Sequence, residues 1–238
     1  MSVRLLHIAD VHLGASCAFL GEHAGEHRAR LEAALGRALA AARDRQCDLV
    51  LIAGDLFDSE RPSERLLQQA MRMLANCGLP VCLIAGTHDM AGRRSPYGLA
   101  EWKSQCPNVH LMVEASPGSV PFADLGLMVH GRAAPRGESP LQGLSRDEGH
   151  RWNVALAHGG LGGEGVLGDA HPISSQEIAA SRFDYMALGH WHGWREWREG
   201  GTVACYPGAP EPLAFDQADT GWAALVTLDE SVTVERVR

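Results

Sequence analysis

Three apolar runs, Val3 to Ala9, Asp48 to Ala53 and Val81 to Ala85, empty directly into Asp10, Gly54-Asp55 and Gly86. Short runs of this kind, rich in Val, Leu and Ile and closed by turn residues, read as strands buried on both faces. Helical patterns separate them. Between Glu26 and Arg45, Leu31, Ala34, Leu35, Ala38, Leu39 and Ala42 recur at three- and four-residue spacing, with arginines on the opposite face. Ser63 can cap a second helix running to Asn76, with Glu64 in its first turn and Gly78-Leu79-Pro80 closing it. Strand and helix in alternation predict an α/β architecture with a largely parallel centre, whose functional loops gather beyond the strand C-termini.

Past Tyr97 the texture changes. Val109 to Val113, Leu125 to His130, Trp152 to Ala157 and Asp184 to Leu188 are further strand candidates, with a short helix expected around Ser174 to Ala180. From Trp194 onward the segments Thr202 to Tyr206, Trp222 to Leu228 and Val232 to Val237 predict an antiparallel finish. At 238 residues and 45% hydrophobic, the chain can bury one substantial core, and a single domain over 1–238 is expected.

Composition removes several classes of function. No apolar segment reaches bilayer length, and the N-terminus meets Arg4, His7 and Asp10 too early for a signal peptide, so no membrane role is expected. Six cysteines without a Cys-x-x-Cys pair predict reduced thiols and a cytoplasmic setting. A formal charge of −8 opposes sequence-independent nucleic-acid binding, although bound divalent cations would return positive charge locally. Lys103 is the only lysine, which leaves Schiff-base and P-loop chemistry almost no place. Gly160-Leu-Gly162-Gly163-Glu-Gly165 matches a dinucleotide fingerprint, but no helix pattern follows it, so it reads as a loop.

What remains is a set of carboxylates and imidazoles at strand ends: Asp10 with His12, Asp55 with Asp58, His88 with Asp89, then His158, then His190 with His192. Asp10 and His12 stand two apart, a spacing that on extended backbone points both side chains to one side. Aspartate oxygen with neutral imidazole nitrogen suits first-row divalent ions, manganese first and iron, zinc or cobalt as alternatives. A pair of ions needs one bridging carboxylate and separate terminal ligands, and Asp55 is the natural bridge. Such a pair acidifies a bridging water, so that a bridging hydroxide can attack a phosphodiester in line.

The ordered motifs Asp-x-His, Gly-Asp-x-x-Asp, Gly-x-His-Asp, His and Gly-His-x-His resemble the calcineurin-like metallophosphoesterase superfamily. Asp10-Val-His-Leu-Gly14, Gly54-Asp-Leu-Phe-Asp58, Asp184 to His192 and Tyr206-Pro-Gly-Ala-Pro210 are most similar to SbcD-type DNA repair exonucleases. The resemblance implies a four-layer αββα sandwich, two central mixed sheets flanked by helices, with two divalent metals at the sheet edge. It implies Asp10, His12, Asp55 and His192 on the first metal, and Asp55, His158, His190 and position 87 on the second. His88 would act on the scissile phosphodiester, with Asp58 or Asp89 orienting its ring. DNA ends or single strands would be the substrate, an SbcC-type ATPase a partner, and a homodimer a further expectation.

Two departures stand out. Where the family pattern has Asn, this chain has Thr87, and a hydroxyl is a poorer neutral ligand than an amide carbonyl. The second metal is therefore expected to be weakly held. SbcD-type nucleases usually continue into a DNA-capping domain, and none is expected in residues 1–238; Arg93 and Arg94, just past the central motif, are then candidate phosphate contacts. Three functions stay open: a DNA nuclease, a phosphodiesterase for small substrates, and a weakly active metal-binding subunit of a repair ATPase complex.

Overall fold

The computed structural model describes residues 2–92, 95–98, 101–162, 171–215 and 217–238. Two six-stranded sheets stack face to face. The first is built on β1 (Val3–Ile8), β2 (Leu49–Ala53), β3 (Val81–Ile84) and β4 (Val109–Leu111), all parallel. It is extended beyond β1 by the antiparallel β13 (Ala223–Leu228) and β14 (Val232–Val237). The second sheet holds β6 (Leu127–Gly131), β7 (Trp152–His158), β10 (Tyr185–Gly189) and β12 (Thr202–Tyr206) in parallel. Antiparallel β5 (Gly118–Phe122) and β11 (Arg195–Glu199) form its two edges.

Alternation along the strands explains the layers. In β1, Leu5 faces the second sheet while Leu6 and Ile8 face the helices α1 (Ala24–Asp44) and α2 (Glu64–Ala75). Leu5, Leu51, Ile84, Val154, Leu156 and Val203 fill the space between sheets, each fully buried side chain contributing roughly 1.5–3 kcal/mol. On the far side Ala157, Met186 and Leu188 pack against Ile178 of α4 (Ser175–Ser181). Helices, two mixed sheets and a helix give the expected sandwich. A short α3 (Glu101–Gln105) precedes β4, and β8 (Gly160–Gly162) pairs with β9 (Pro172–Ser174) as a two-stranded ribbon.

The helix starts follow local chemistry. Ser63 caps α2 by accepting the Leu66 N–H, and Ser174 with Glu177 forms a reciprocal capping box on α4. The finish differs from the antiparallel expectation at one strand, β12, which lies parallel to β10. Thr202-Val-Ala-Cys-Tyr206 is buried at every position and belongs inside a sheet, whereas the charged Arg195-Glu-Trp-Arg-Glu199 occupies the edge. β5 escaped sequence reading because Pro121 interrupts its pattern, and its edge position is where proline is tolerated. All six cysteines are buried and unbridged, as expected of reduced thiols. Among the described residues no helix is long and apolar enough to cross a membrane. Half of the glycine-rich match, Gly163 to Gly165, lies outside the described residues.

Candidate metal centre

The C-terminal ends of β1, β2 and β3 meet those of β7 and β10 at one edge, and each strand delivers one element of the centre there. At this edge the two sheets come together backbone to backbone. A Cβ on Gly189, at the end of β10, would stand 1.9 Å from the Ala53 carbonyl oxygen at the end of β2, so only glycine permits the approach. The loop after β1 is kinked rather than extended, which corrects the pleat argument for Asp10 and His12. β1 stops at Ile8, and Asp10 and His12 have left-handed backbones with φ of 54° and 50°. Asp10 N–H donates to the Gly54 carbonyl (3.2 Å) and His12 N–H to that of Asp55 (3.0 Å), so the two loops are laced together. Asp55 (φ 51°) and His190 (φ 107°) share the left-handed conformation.

Asp55 is the hub. Its Oδ2 lies 3.3 Å from His158 Nε2, 3.7 Å from His12 Nε2 and 3.3 Å from Thr87 Oγ1, while Oδ1 accepts the His88 N–H at 2.8 Å. Two of the imidazoles have their outward nitrogen fixed: His158 Nδ1 donates to the Ala53 carbonyl at 2.9 Å, and His12 Nδ1 donates to Asp58 Oδ1 at 2.9 Å. That aims both Nε2 atoms inward, where the neutral imidazole presents its lone pair, the second-sphere arrangement seen around bound metals. His192 Nε2 stands 4.0 Å from Asp10 Oδ1. The His190 imidazole lies beside His158, ring centroids 5.4 Å apart, and its backbone N–H donates to both Asp10 oxygens at 2.9 and 3.1 Å.

Among the described residues, three clusters have ligand atoms within 4.8 Å of one another: Asp10, His12 and His192; Asp10, Asp55 and His158; His12, Asp55 and His88. The donor set fits divalent ions on two counts. His12 Nε2 is buried without a hydrogen-bond partner, an atom that a cation would satisfy. Thr87 Oγ1, Asp55 Oδ2 and His158 Nε2 form a triangle with sides of 3.3, 3.3 and 3.5 Å. Ligands bonded at about 2.1 Å to one ion, at angles from 90° to tetrahedral, stand roughly 3.0–3.4 Å apart.

The electrostatics agree. Burial pushes the Asp10 carboxyl up to about 7, with His158 and Asp55 pulling in opposite directions, so a second buried carboxylate lacks enough positive charge. Burial also works to raise Asp55, but His158, His12 and the His88 N–H hold it well below the ordinary carboxylate range. His158 is lifted to about 10 because Asp55 outweighs the burial that opposes its charge, so without an ion it carries a proton that a bound cation would displace. Burial and the neighbouring His12 lower His192 to about 4, which keeps it neutral as a ligand must be.

His88 and Asp58 sit on the rim. The imidazole of His88 is half exposed, 3.5 Å from Asp58 Oδ1, and that contact lifts it to about 9 against the opposing effect of burial. Asp58, not Asp89, is thus the carboxylate beside His88. Asp89 is fully buried and accepts from Gly86 N–H (2.7 Å), Phe57 N–H (3.1 Å) and the Tyr97 hydroxyl, so it clamps the central loop instead of orienting the ring. Arg93 and Arg94 lie outside the described residues. Neither Tyr97 nor Gln217, which contacts His192 Nδ1 at 2.6 Å, was marked by any sequence motif. A cavity of about 530 Å³, walled by Gly86, Met90, Tyr97, Val113 and Arg132, opens against His158.

Comparison with known proteins agrees with this geometry. The family described as calcineurin-like phosphoesterase matches residues 3–194. The chain is 30% identical over 233 residues to a DNA double-strand break repair protein Mre11 of Methanopyrus kandleri, covering 90% of this chain and 50% of that protein. It is 26% identical over 271 residues to the SbcD component of the nuclease SbcCD of Bacillus subtilis, covering 95% and 66%. An Mre11 of Aeropyrum pernix is 32% identical over 91% of this chain and 56% of its own length, so the chain spans about half of both Mre11 relatives. Among solved structures, TT1561 of Thermus thermophilus shares the fold over the whole of both chains, with a TM-score of 0.60 at 14% identity.

Proposed function

The chain belongs to the calcineurin-like phosphoesterase family, and on that premise we propose that it is a two-metal phosphodiester hydrolase acting on DNA ends or single strands. The observation that carries the reading is Asp55, a single buried carboxylate whose Oδ2 faces His12 Nε2 from the first sheet and His158 Nε2 from the second. Asp10, His12, Asp55 and His192 would hold one divalent ion; Asp55, His158, His190 and Thr87 would hold the other, with manganese the first choice. When bound, such a pair supplies Lewis acidity to the phosphoryl oxygens and a water acidic enough to attack near neutral pH. His88, kept protonated by Asp58, donates a proton to the departing alkoxide or stabilises its charge. Asp58 also holds His12 in its ligand tautomer, so one carboxylate serves both the binding and the chemical step.

DNA as substrate is supported by the Mre11 and SbcCD relatives and by a second feature of the surface. Arg28, Arg61 and Arg65 line a groove of about 550 Å³ that begins at Ser59, the neighbour of Asp58. No ion pair to any of them occurs among the described residues, unlike Arg132 and Arg146; Arg28 gives one N–H to the Ser16 carbonyl at 2.9 Å, and Arg61 and Arg65 are available to phosphates. An SbcC-type ATPase is the proposed partner. The net charge of −8 favours the second reading, a small-substrate phosphodiesterase.

Incubation with Mn²⁺ and three substrates, linear DNA, circular single-stranded DNA and bis-p-nitrophenyl phosphate, tests the proposal. Degradation of either DNA supports it. Ester cleavage alone assigns small substrates, and silence on all three assigns a scaffolding subunit.

A further inference from the structure

The segment after β12 has no role in the chemistry above, yet it is folded back onto one ligand. Ala209 N–H donates to the His192 carbonyl at 2.9 Å, and a Cβ on Gly208 (φ 78°) would come within 2.5 Å of that same oxygen. The Tyr206-Pro-Gly-Ala-Pro210 turn therefore lies backbone to backbone on His192. Farther along the chain, Gln217 completes the bracket. Its Oε1 accepts the Leu213 N–H at 2.7 Å, which fixes the carboxamide to its own loop, and its other end meets His192 Nδ1 at 2.6 Å.

His192 differs from its neighbours in this respect. His12 and His158 lean on groups that only accept, a carboxylate and a backbone carbonyl, so their inward Nε2 is a ligand by default. At His192 the outward nitrogen meets the carboxamide NH2, since the Gln217 oxygen is already taken by Leu213; Gln217 therefore donates and Nδ1 accepts, which puts the ring proton on the inward Nε2. The geometry points to Gln217 as the positioning residue that sets the ring orientation and tautomer of His192, and thereby the affinity of the site for one of its two divalent cations. The inference rests on His192 being a ligand, as proposed above. It makes a stretch far along the chain, bearing no ligand itself, the tuner of metal occupancy. Changes to groups of this kind typically alter metal affinity by about 10–100-fold.

The test is calorimetric titration of Mn²⁺ into the metal-stripped protein and into Gln217→Ala, Gln217→Glu, His192→Ala and the Gln217→Ala/His192→Ala double variant. We expect Gln217→Glu to tighten one of two binding events about tenfold or more and leave the other unchanged, because a carboxylate accepts the Nδ1 proton that a ring ligating through Nε2 must carry. Gln217→Ala, which removes the donor without supplying an acceptor, should fall between wild type and Gln217→Glu at that event. The double variant should bind no more tightly than His192→Ala. Unchanged binding by Gln217→Glu overturns the inference. So does an equal change in the Ala and Glu variants, which would place the effect in the packing of the loop. If His192→Ala itself binds both ions normally, the ligand assignment fails first. Circular dichroism confirms that each variant is folded before titration.

Discussion

Replacing Thr87 with Asn probes the centre most directly. Thr87 Oγ1 already stands at ligand spacing, 3.3 Å from Asp55 Oδ2 and 3.5 Å from His158 Nε2, so position is not what limits it. The limitation is electronic: the oxygen is a neutral hydroxyl that donates its own proton to Asp55. A carboxamide carbonyl carries the larger dipole and keeps both lone pairs for acceptance. Exchanging a poor neutral ligand for a good one should tighten one ion by about tenfold, roughly 1.4 kcal/mol. Thr87→Val, which keeps the shape and removes the oxygen, should weaken the same ion. Calorimetry with Mn²⁺ resolves the two events, and only the one involving His158 should respond, so a His158→Ala background abolishes the difference between Thr and Asn. Identical affinities in the Thr, Asn and Val proteins would refute the argument, as would equal tightening of both events.

Four shorter predictions complete the set. His88→Asn should lower kcat by about 10²–10⁴-fold while Mn²⁺ affinity stays within about twofold, because the ring acts on substrate and not on the ions; steady-state kinetics beside calorimetry decides this. Gly189→Ala, whose methyl meets the Ala53 carbonyl at 1.9 Å, should lower the melting temperature and loosen both ions, as thermal scans with and without Mn²⁺ would report. Stripping metal with a chelator should reduce stability by about 2.7 kcal/mol for each ion held at a hundredfold excess over its Kd, or roughly 5–10 °C in Tm per ion for a chain of this size. Burial holds His7, hydrogen-bonded to Tyr185, neutral down to about pH 3, against 6.5 when unfolded. The unfolded chain thus binds the extra proton between those values, so this residue contributes a loss of about 1.4 kcal/mol per pH unit as pH falls through that window and nothing above it. Urea unfolding of wild type and His7→Gln at pH 7, 6 and 5 should show the smaller slope in the variant.

Most of the sandwich was legible because its central strands are apolar runs that end in charged loops, a pattern with few other physical solutions. The histidines and aspartates at those ends could be named for the same reason. What sequence could not supply was the backbone that gathers them. Asp10 and His12 were expected to share a side by strand pleating, and they converge instead through left-handed turns laced to the Gly54–Asp55 backbone. Asp89 looked like a partner for its neighbour His88; only coordinates reveal that its oxygens are taken by Gly86, Phe57 and Tyr97. Gln217 is one polar residue in a loop, and its meaning depends on a contact spanning 25 residues. The inserted β12 needed the competition between an apolar and a charged segment for the sheet interior, which no single window of sequence displays.

Asp10, His12, Asp55 and His190 all adopt backbone angles that glycine would occupy more comfortably. Each such residue costs of the order of 1–3 kcal/mol. Glycine at any of these four places would relieve that cost and take a carboxylate or an imidazole out of the centre. Firmness of the backbone and the chemistry of the centre therefore pull against each other at the same positions.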